Sequence, residues 1–392
     1  MRKGKIEKKV TTGIEFIINE KKNLIKNKRV GIISNQTSVN TNDIHITKLI
    51  SKYTKSIVVF APEHGFDGDV DDRKKINNEI NNELTIYSIF GEFKSPDQKI
   101  LKNLDIIIYD IQDVGVKFYT FISNLVITME IAKNNNIKVI VLDRPNPIRA
   151  DIIEGPVTSP AFSSFIGIAP LPIRYGMTVG ELALMINNEK YLGFKLECEL
   201  EVIKMKNYKR NMWFDQTGLS WIPPSPNIPN LDTAILYPGT CLFEGTSFSE
   251  GRGTKSPFLI IGSPNIDASK LLEKVPNKYL EGVYAKVIEF KPRAIIGKES
   301  NPKFINKKCH GIEFKVLDRD KIKPINLAIS LLDVSNKLFP NKLNPNRLLD
   351  NLWGNENLRS SLKYCSNVDS IINIMPNQIK EFLKVRENYL IY

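Results

Sequence analysis

The amino-acid sequence predicts an α/β protein, with a doubly wound, mainly parallel sheet and a second, smaller α+β domain. Runs of β-branched and aromatic residues, such as S-I-V-V-F-A at 56–61, are typical of strands buried on both faces. Segments with helical spacing separate these runs, and such alternation is typical of a parallel sheet. A length of 392 residues is enough for two domains.

The first part of the chain contains the elements of this sheet in order. Isoleucine and leucine residues recur at helical spacing within 11–28, which predicts a first, amphipathic helix. Strands are predicted at 29–34, 56–61, 85–89, 105–109 and 138–142. Further helices are predicted at 43–53, within 91–104, and at 118–134. Residues 69–83 are acid, lysine and asparagine without periodicity, so we expect a mobile loop over the site.

The second part of the chain is punctuated by prolines. Thr178 and Glu181 have the spacing of a capping box, which predicts a helix start, and a strand is expected at 196–204. Four prolines between residues 221 and 230 indicate a boundary, so the predicted domains are 1–222 and 223–392. Later strands are predicted at 234–237, 257–261, 283–290 and 311–317. Later helices are predicted at 324–338, 356–364, 366–374 and 376–385.

Composition limits the class of protein. The net charge is +12, but the lysines are scattered and no nucleic-acid motif accompanies them, so we expect no nucleic-acid partner. The four cysteines are far apart and form no C-x-x-C pair, which argues against a zinc ribbon. The basic N-terminus has no apolar core after it, and no stretch suits a membrane span. As written, the chain is expected to be cytoplasmic, or exported if a leader was removed.

Titratable side chains follow three of the predicted strands. They are Glu63 and His64, then Asp110 and Asp113, and then Asp143. Ligands of parallel sheets bind at the carboxyl ends of the strands. We therefore expect Glu63, Asp110 and Asp143 to converge on one crevice. The alternative for Glu63 is a strand-end turn in which the acid caps the next helix.

Other motifs argue against several chemistries. The glycine-rich segment 245–253 departs from P-loop spacing, because threonine follows Gly253. No G-x-G-x-x-G follows the first strand, and no G-x-S-x-G is present for a serine nucleophile. A metal site of strand-end acids and His64 stays open, although no H-x-H or H-E-x-x-H spacing supports it. Carboxylate chemistry remains, as in general acid catalysis on a glycosidic oxygen.

Seven segments, in fixed order, resemble a known family. They are F-A-P-E-H-G-F (60–66), D-I-Q-D-V-G-V-K-F-Y-T (110–120), L-D-R-P-N-P (142–147), E-G-P (154–156), G-M-T-V-G-E-L-A (176–183), P-S-P-N-I-P (224–229) and F-E-G-T-S-F-S-E-G-R-G-T (243–254). The chain resembles the exo-β-N-acetylmuramidases, peptidoglycan hexosaminidases formerly known only as a domain of unknown function. The resemblance implies a Rossmann-like N-terminal domain, a smaller C-terminal domain and an active site in the cleft between them. It also implies release of N-acetylmuramic acid (MurNAc) from the non-reducing end of peptidoglycan fragments such as MurNAc-GlcNAc, without a cofactor.

The matched motifs also imply roles for individual residues. Glu63 matches the glutamate of the family's P-E-H-G segment and leads the catalytic candidates, which are Glu63, His64, Asp110 and Asp113. The implied substrate-binding residues are Gln112, Tyr119, Asp143, Arg144, Asn146, Glu154, Arg174, Tyr175, Asn227, Glu244, Glu250 and Arg252. Two positions depart from the family pattern: Asp67 replaces a usual arginine and Tyr175 a usual histidine.

Three hypotheses follow: a glycoside hydrolase, a muropeptide-binding protein without catalytic activity, and a metal-dependent hydrolase. The departures at Asp67 and Tyr175 suggest the second. The carboxylate partner of Glu63 stays open among Asp110, Asp113, Asp143, Glu154 and Glu250. MurNAc carries an ionised lactyl carboxylate, so selectivity requires a cation, and the planar fork of arginine suits it. Arg144, Arg174 and Arg252 are the candidates, with Arg252 and Arg144 ranked first.

Overall fold

The structure is a computed structural model that describes residues 9–63, 65–68, 79–81, 84–89, 96–190, 193, 195–364 and 368–392. The catalytic candidate His64 and residues 69–78 and 82–83 of the predicted loop therefore lie outside the described residues.

The strands come from three separate sheets. In chain order they are β1 (Arg29–Ser34), β2 (Ser56–Ala61), β3 (Glu79–Asn81), β4 (Leu84–Ser88), β5 (Ile106–Asp110), β6 (Lys138–Leu142), β7 (Glu154–Val157), β8 (Pro172–Arg174), β9 (Leu200–Ile203), β10 (Ile260–Ser263), β11 (Val283–Phe290) and β12 (Cys309–Val316). The described part of the largest sheet has the order β3-β4-β2-β1-β5-β6-β9. Its neighbours pair in parallel except β3 and β4, which confirms the mainly parallel sheet.

Helices surround this sheet and build most of the later chain. They are α1 (Gly13–Asn19), α2 (Ile46–Ile50), α3 (Gln98–Leu101), α4 (Phe121–Asn134), α5 (Val179–Asn188), α6 (Leu231–Thr240), α7 (Ala268–Lys274), α8 (Pro324–Leu338), α9 (Arg347–Trp353), α10 (Asn357–Lys363), α11 (Val368–Gln378) and α12 (Lys380–Glu387). Short 3-10 turns lie at Lys22–Leu24, Pro160–Phe162, Phe214–Thr217, Cys241–Gly245 and Asn277–Tyr279.

The buried runs of the first part become the strands at the centre of the sheet. Ile106 to Asp110 are all buried, as expected for a strand covered on both faces. The register pairs Ile33 of β1 with Phe60 of β2, and Ser34 with Asp110 of β5, so the carboxyl ends of β1, β2 and β5 lie at one edge. This edge carries the site described below.

The clearest differences from the prediction concern three elements. The first helix is short, because α1 spans only Gly13–Asn19 of the predicted 11–28. Strand β3 lies within the predicted loop 69–83 and pairs antiparallel with β4. The predicted strand 234–237 is wrong, because these residues lie inside helix α6.

The later chain packs a three-stranded antiparallel sheet, in the order β10-β12-β11, with several helices. Helices α6 and α8 approach closely at Gly239, where an added Cβ would lie 1.9 Å from the carbonyl oxygen of Pro324. A side chain is therefore excluded at this position. One cluster of buried apolar residues runs from Ile33 to Phe382, so the core continues across the predicted boundary. The division into 1–222 and 223–392 itself stays a prediction.

The last described segment returns to the first sheet. Arg386 of α12 donates from Nη2 to the carbonyl oxygens of Ala150 and Gly176, both at 2.7 Å. The Tyr392 hydroxyl donates to Asp143 Oδ2 at 2.7 Å and accepts from the Met205 amide at 2.8 Å. Residues near the end of the described chain are thus hydrogen-bonded to residues between 143 and 205, near the first sheet.

Candidate active site

Glu63 lies in a tight turn directly after β2. Strand β2 ends at Ala61, and the Gly65 amide donates to the carbonyl oxygen of Pro62 at 3.2 Å. Gly65 has a φ of +78°, which glycine adopts without the steric cost of a Cβ. The turn therefore holds Glu63 just beyond the carboxyl edge of the sheet.

Thr120 fixes the direction of the Glu63 carboxylate. The Thr120 hydroxyl donates to Glu63 Oε2 at 2.9 Å. Thr120 is also the residue before the first turn of α4, and its side chain makes no capping bond to that helix. Its hydroxyl thus binds Glu63 and does not cap α4, so Glu63 lies near the N-terminal end of this helix.

Glu63 opens into a cleft with a cavity volume of about 210 Å³, here called the main cleft. It is lined by five of the predicted site residues, which are Glu63, Tyr119, Asn227, Glu244 and Arg252. Much of its remaining wall is apolar and comes from Phe118, Phe165, Ile166, Tyr237, Phe258, Leu348 and Leu352. Both predicted domains contribute to the lining. A partly apolar cleft with a few polar groups is typical of a small-molecule site.

Glu244 is a second carboxylate in the main cleft, and Arg252 holds it. Arg252 Nη2 donates to Glu244 Oε1 at 2.8 Å, and Nη1 donates to Glu299 Oε2 at 3.1 Å. The guanidinium also lies over the Phe258 ring, 5.1 Å from its centroid. Burial lowers the pKa of Arg252, and the charges of Glu299 and Glu63 oppose this shift. Arg252 is therefore close enough to Glu63 for the two charges to interact.

Glu250 lies beside this pair and is almost fully buried. Lys303 Nζ donates to Glu250 Oε2 at 3.0 Å and to the carbonyl oxygens of Phe243 and Phe248 at 2.8 and 2.9 Å. The Lys303 ammonium group thus binds two residues of the glycine-rich segment 245–253, Phe248 and Glu250. This segment presents Arg252 to the cleft.

Asp110 and Asp143 differ from the expected arrangement, because both side chains are completely buried. Arg144 binds Asp110 through Nε at 2.6 Å and through Nη2 at 3.0 Å. Asp143 accepts hydrogen bonds from Thr178 Oγ1, the Gly180 amide and the Tyr392 hydroxyl, at 2.7 to 2.8 Å. The strand ends bring these acids to one edge, but burial and hydrogen bonding keep them out of the main cleft.

Asp113 and Tyr175 form a buried pair behind Tyr119. The Tyr175 hydroxyl and the Gly115 amide both donate to Asp113 Oδ2. Burial raises the pKa of Asp113 to about 6, although these hydrogen bonds oppose the shift. Burial also raises the pKa of Tyr119, with added effects from the Asp113 and Glu63 charges. Asp113 itself does not line the main cleft.

The other predicted binding residues have local partners. Gln112 Nε2 donates to the carbonyl oxygens of Asp113 and Pro145. Asn146 Nδ2 donates to Met177 O. Arg174 Nη1 donates to Glu154 Oε2 at 2.9 Å, and the Arg174 guanidinium lies over the Trp213 ring. These contacts join the loops behind the sheet edge, and the predicted binding roles of these residues stay predictions.

Several cleft residues were missed by the sequence analysis. Tyr237 and Phe258 face the cleft with ring centroids 4.7 Å apart, and Cys241 Sγ lies 3.7 Å from Glu244 Oε1. The signal for Tyr237 was present but misread, because a strand was predicted there. Leu348 and Leu352 have helical i, i+4 spacing on α9, which the sequence analysis did not identify. Within the described residues, no three His, Cys, Asp or Glu side chains are grouped as metal ligands.

Family models match both parts of the chain. The N-terminal domain model of "Exo-beta-N-acetylmuramidase NamZ" matches residues 30–232, and the C-terminal model matches residues 235–392. The chain is 38% identical over 390 residues to "Peptidoglycan beta-N-acetylmuramidase NamZ" of Bacillus subtilis (strain 168), covering 98% of this chain and 92% of that protein.

Solved structures show the same fold. Two DUF1343 family proteins of Bacteroides fragilis NCTC 9343 superpose with TM-scores of 0.86 and 0.81, at 30% and 32% identity. Each comparison covers 98% of this chain and 99% of the other. Among the described helices, none is long and apolar enough to cross a membrane. From its matched domains and its full-length similarity, the chain belongs to the NamZ family of exo-β-N-acetylmuramidases.

Proposed function

We propose that this protein is a glycoside hydrolase that releases MurNAc from the non-reducing end of peptidoglycan-derived glycans such as MurNAc-GlcNAc. Family membership supports the reaction class, and the relative from Bacillus subtilis is named for activity on peptidoglycan. The observation that carries the proposal is the oriented Glu63 carboxylate in a cleft that contains a second carboxylate, Glu244. Two carboxyl groups beside one bond are the usual equipment of a glycosidase.

In this proposal Glu63 protonates the glycosidic oxygen as the general acid. The turn after β2 restricts the backbone, and Thr120 holds one carboxylate oxygen. General acid catalysis lowers the barrier by transferring a proton to the leaving oxygen, and a positioned acid does so without a large rearrangement.

Glu244 supplies the second carboxylate, in place of the five candidates left open by the sequence. Its ion pair with Arg252, with 2.8 Å between Glu244 Oε1 and Arg252 Nη2, holds the carboxylate against the cleft wall. A carboxylate in this state stabilises positive charge that develops on the sugar ring in the transition state. Arg252 therefore acts partly as a positioning residue for Glu244.

The test is the Glu63→Gln substitution, which keeps the size of the side chain and removes the acid. We expect kcat on MurNAc-GlcNAc to fall about 10²- to 10⁴-fold, the usual contribution of a positioned general acid. Glu130→Gln on the exposed face of α4 is the matched control and should leave kcat unchanged. Wild-type kcat in the Glu63→Gln enzyme would refute the role of Glu63.

Sugar release and calorimetric binding, both measured on the wild-type protein, separate hydrolysis from binding alone. A muropeptide-binding protein would bind MurNAc-GlcNAc in calorimetry and release no sugar from it. Tyr175 was one reason for that alternative, but its hydroxyl is buried against Asp113 and does not line the main cleft. This position thus gives the binding-only alternative little support.

A further inference from the structure

A second cavity adjoins the main cleft and is here called the side cavity. Its volume is about 300 Å³, and it shares Glu244, Arg252 and Leu348 with the main cleft. Its remaining wall comes from Glu250 and from segment 299–303. The two cavities thus share the Glu244–Arg252 ion pair as part of their walls.

The charged groups of the side cavity leave it slightly acidic. Three carboxylates (Glu244, Glu250, Glu299), one guanidinium and one ammonium give a formal charge of −1. Both cations bind protein oxygens: Arg252 binds Glu244 and Glu299, and Lys303 binds Glu250 and backbone carbonyls. The cavity therefore offers mainly hydrogen-bond acceptors, which suit the hydroxyl groups of an uncharged sugar.

The main cleft has a different character. Phe118, Tyr237 and Phe258 form a connected aromatic wall, with centroid distances of 5.4 and 4.7 Å between neighbouring rings. Apolar walls suit the methyl groups of the lactyl ether and of the N-acetyl group on MurNAc. The more substituted sugar, MurNAc, is thus better matched to the main cleft.

We infer that the side cavity binds the leaving sugar, the uncharged GlcNAc unit, while MurNAc occupies the main cleft. This inference rests on the proposed function and adds the location and chemistry of the second sugar site. It places the scissile bond beside the Glu244–Arg252 pair, where the two cavities meet.

The test uses Asn301, which lines the side cavity and not the main cleft. Its side chain is exposed, and its backbone N–H donates to Glu299 Oε1 at 3.3 Å. Asn301→Ala removes one polar side chain without changing the charge or that backbone contact. We expect KM for MurNAc-GlcNAc to rise about three- to tenfold, the equivalent of one neutral hydrogen bond, with little change in kcat. KM for a chromogenic aryl MurNAc glycoside, which lacks GlcNAc, should stay unchanged.

Asn227→Ala provides the matched comparison, because Asn227 lines the main cleft only. This substitution should change both substrates by a similar factor. If Asn301→Ala changes both substrates equally, or neither, the inference is wrong. If the wild-type protein releases no sugar from either substrate, the proposed function fails and the inference fails with it.

Discussion

Arg252 is the one of the three candidate arginines that lines the main cleft, so it is the candidate for recognising the lactyl carboxylate. Arg144 and Arg174 are buried and bind Asp110 and Glu154. Because the terminal nitrogens of Arg252 already bind Glu244 and Glu299, a lactyl carboxylate would share this fork.

Arg252→Ala should therefore lower kcat/KM on a MurNAc glycoside. The loss corresponds to about 2 kcal/mol of transition-state stabilisation, the lower end of the range for a buried charge partner. The loss should be smaller on the matching GlcNAc glycoside, which has no lactyl carboxylate. The measurement is the ratio of the two activities, which does not depend on the amount of folded enzyme. Arg319→Ala, which removes a surface ion pair with Asp215, is the control. An unchanged ratio in Arg252→Ala would exclude this role.

Residues of the site were predictable where a sequence pattern fixed the backbone. Glu63 follows a buried strand and a proline, and both features are visible in the sequence. Glu244 and Arg252 came from a matched motif, and their mutual ion pair was not predictable because side-chain directions depend on the packing of 245–253. The burial of Asp110 and Asp143 depends on partners distant in sequence, such as Arg144 and Tyr392.

Helix α5 illustrates how an element positions part of the sheet edge. The Thr178 side chain accepts from the Glu181 amide, and Glu181 Oε2 accepts from the Thr178 amide at 2.9 Å, which confirms the predicted capping box. Thr178 Oγ1 also donates to Asp143 Oδ2 at 2.8 Å. One hydroxyl thus caps the helix and satisfies a buried carboxylate.

Thr178→Ala should lower the free energy of unfolding by about 2 kcal/mol, because it removes both the cap and a donor to buried Asp143. Thr178→Ser retains the hydroxyl and should cost less than half as much. Urea denaturation of the two variants measures the difference. Equal losses in both would show that the methyl group, and not the hydroxyl, stabilises the protein.

At the level of elements, the strands of the parallel sheet were predictable because continuous β-branched runs favour a strand buried on both faces. The same reasoning failed at 234–237, where A-I-L-Y reads as a strand. These residues are buried in α6, which packs against α8 at Gly239 and contains Pro238. Tertiary packing therefore decided between two conformations that the local sequence allows.

At the scale of the whole molecule, Lys117 joins the loop after β5 to the later helices. It is buried, and its Nζ donates to Thr158 Oγ1 at 2.7 Å and to Trp353 O, near the end of α9, at 3.0 Å. Burial lowers the pKa of Lys117 to about 7, because the charged form loses its hydration. In the unfolded chain a lysine titrates near its ordinary pKa of about 10.4.

This shift makes stability depend on pH. Between about pH 7 and 10 the unfolded chain keeps the proton on Lys117 that the folded protein has released, so stability rises with pH in this window. The free energy of unfolding of the wild type, minus that of Lys117→Met, should therefore rise by about 2 kcal/mol from pH 7 to pH 9. Denaturant titrations at the two pH values test this. A difference that is constant with pH would mean that Lys117 titrates alike in both states.

The mainly parallel sheet was predictable for the molecule as a whole, since alternating strands and helices have few possible arrangements. The return of the last segment to the first sheet was not, because Arg386 and Tyr392 carry no periodic signal. Their hydrogen bonds join residues more than 200 positions apart, which local patterns do not encode.

The hydrogen bond from Tyr392 to Asp143 has a consequence for biosynthesis, because 249 positions separate the two residues. At ordinary translation speeds the ribosome needs roughly 10 to 50 s to add that many residues. Until Tyr392 has been made, Asp143 lacks one of its hydrogen-bond donors and the Met205 amide lacks its acceptor. The first half of the chain therefore leaves the ribosome without its full set of native hydrogen bonds, and it reaches that set only when Tyr392 has been made.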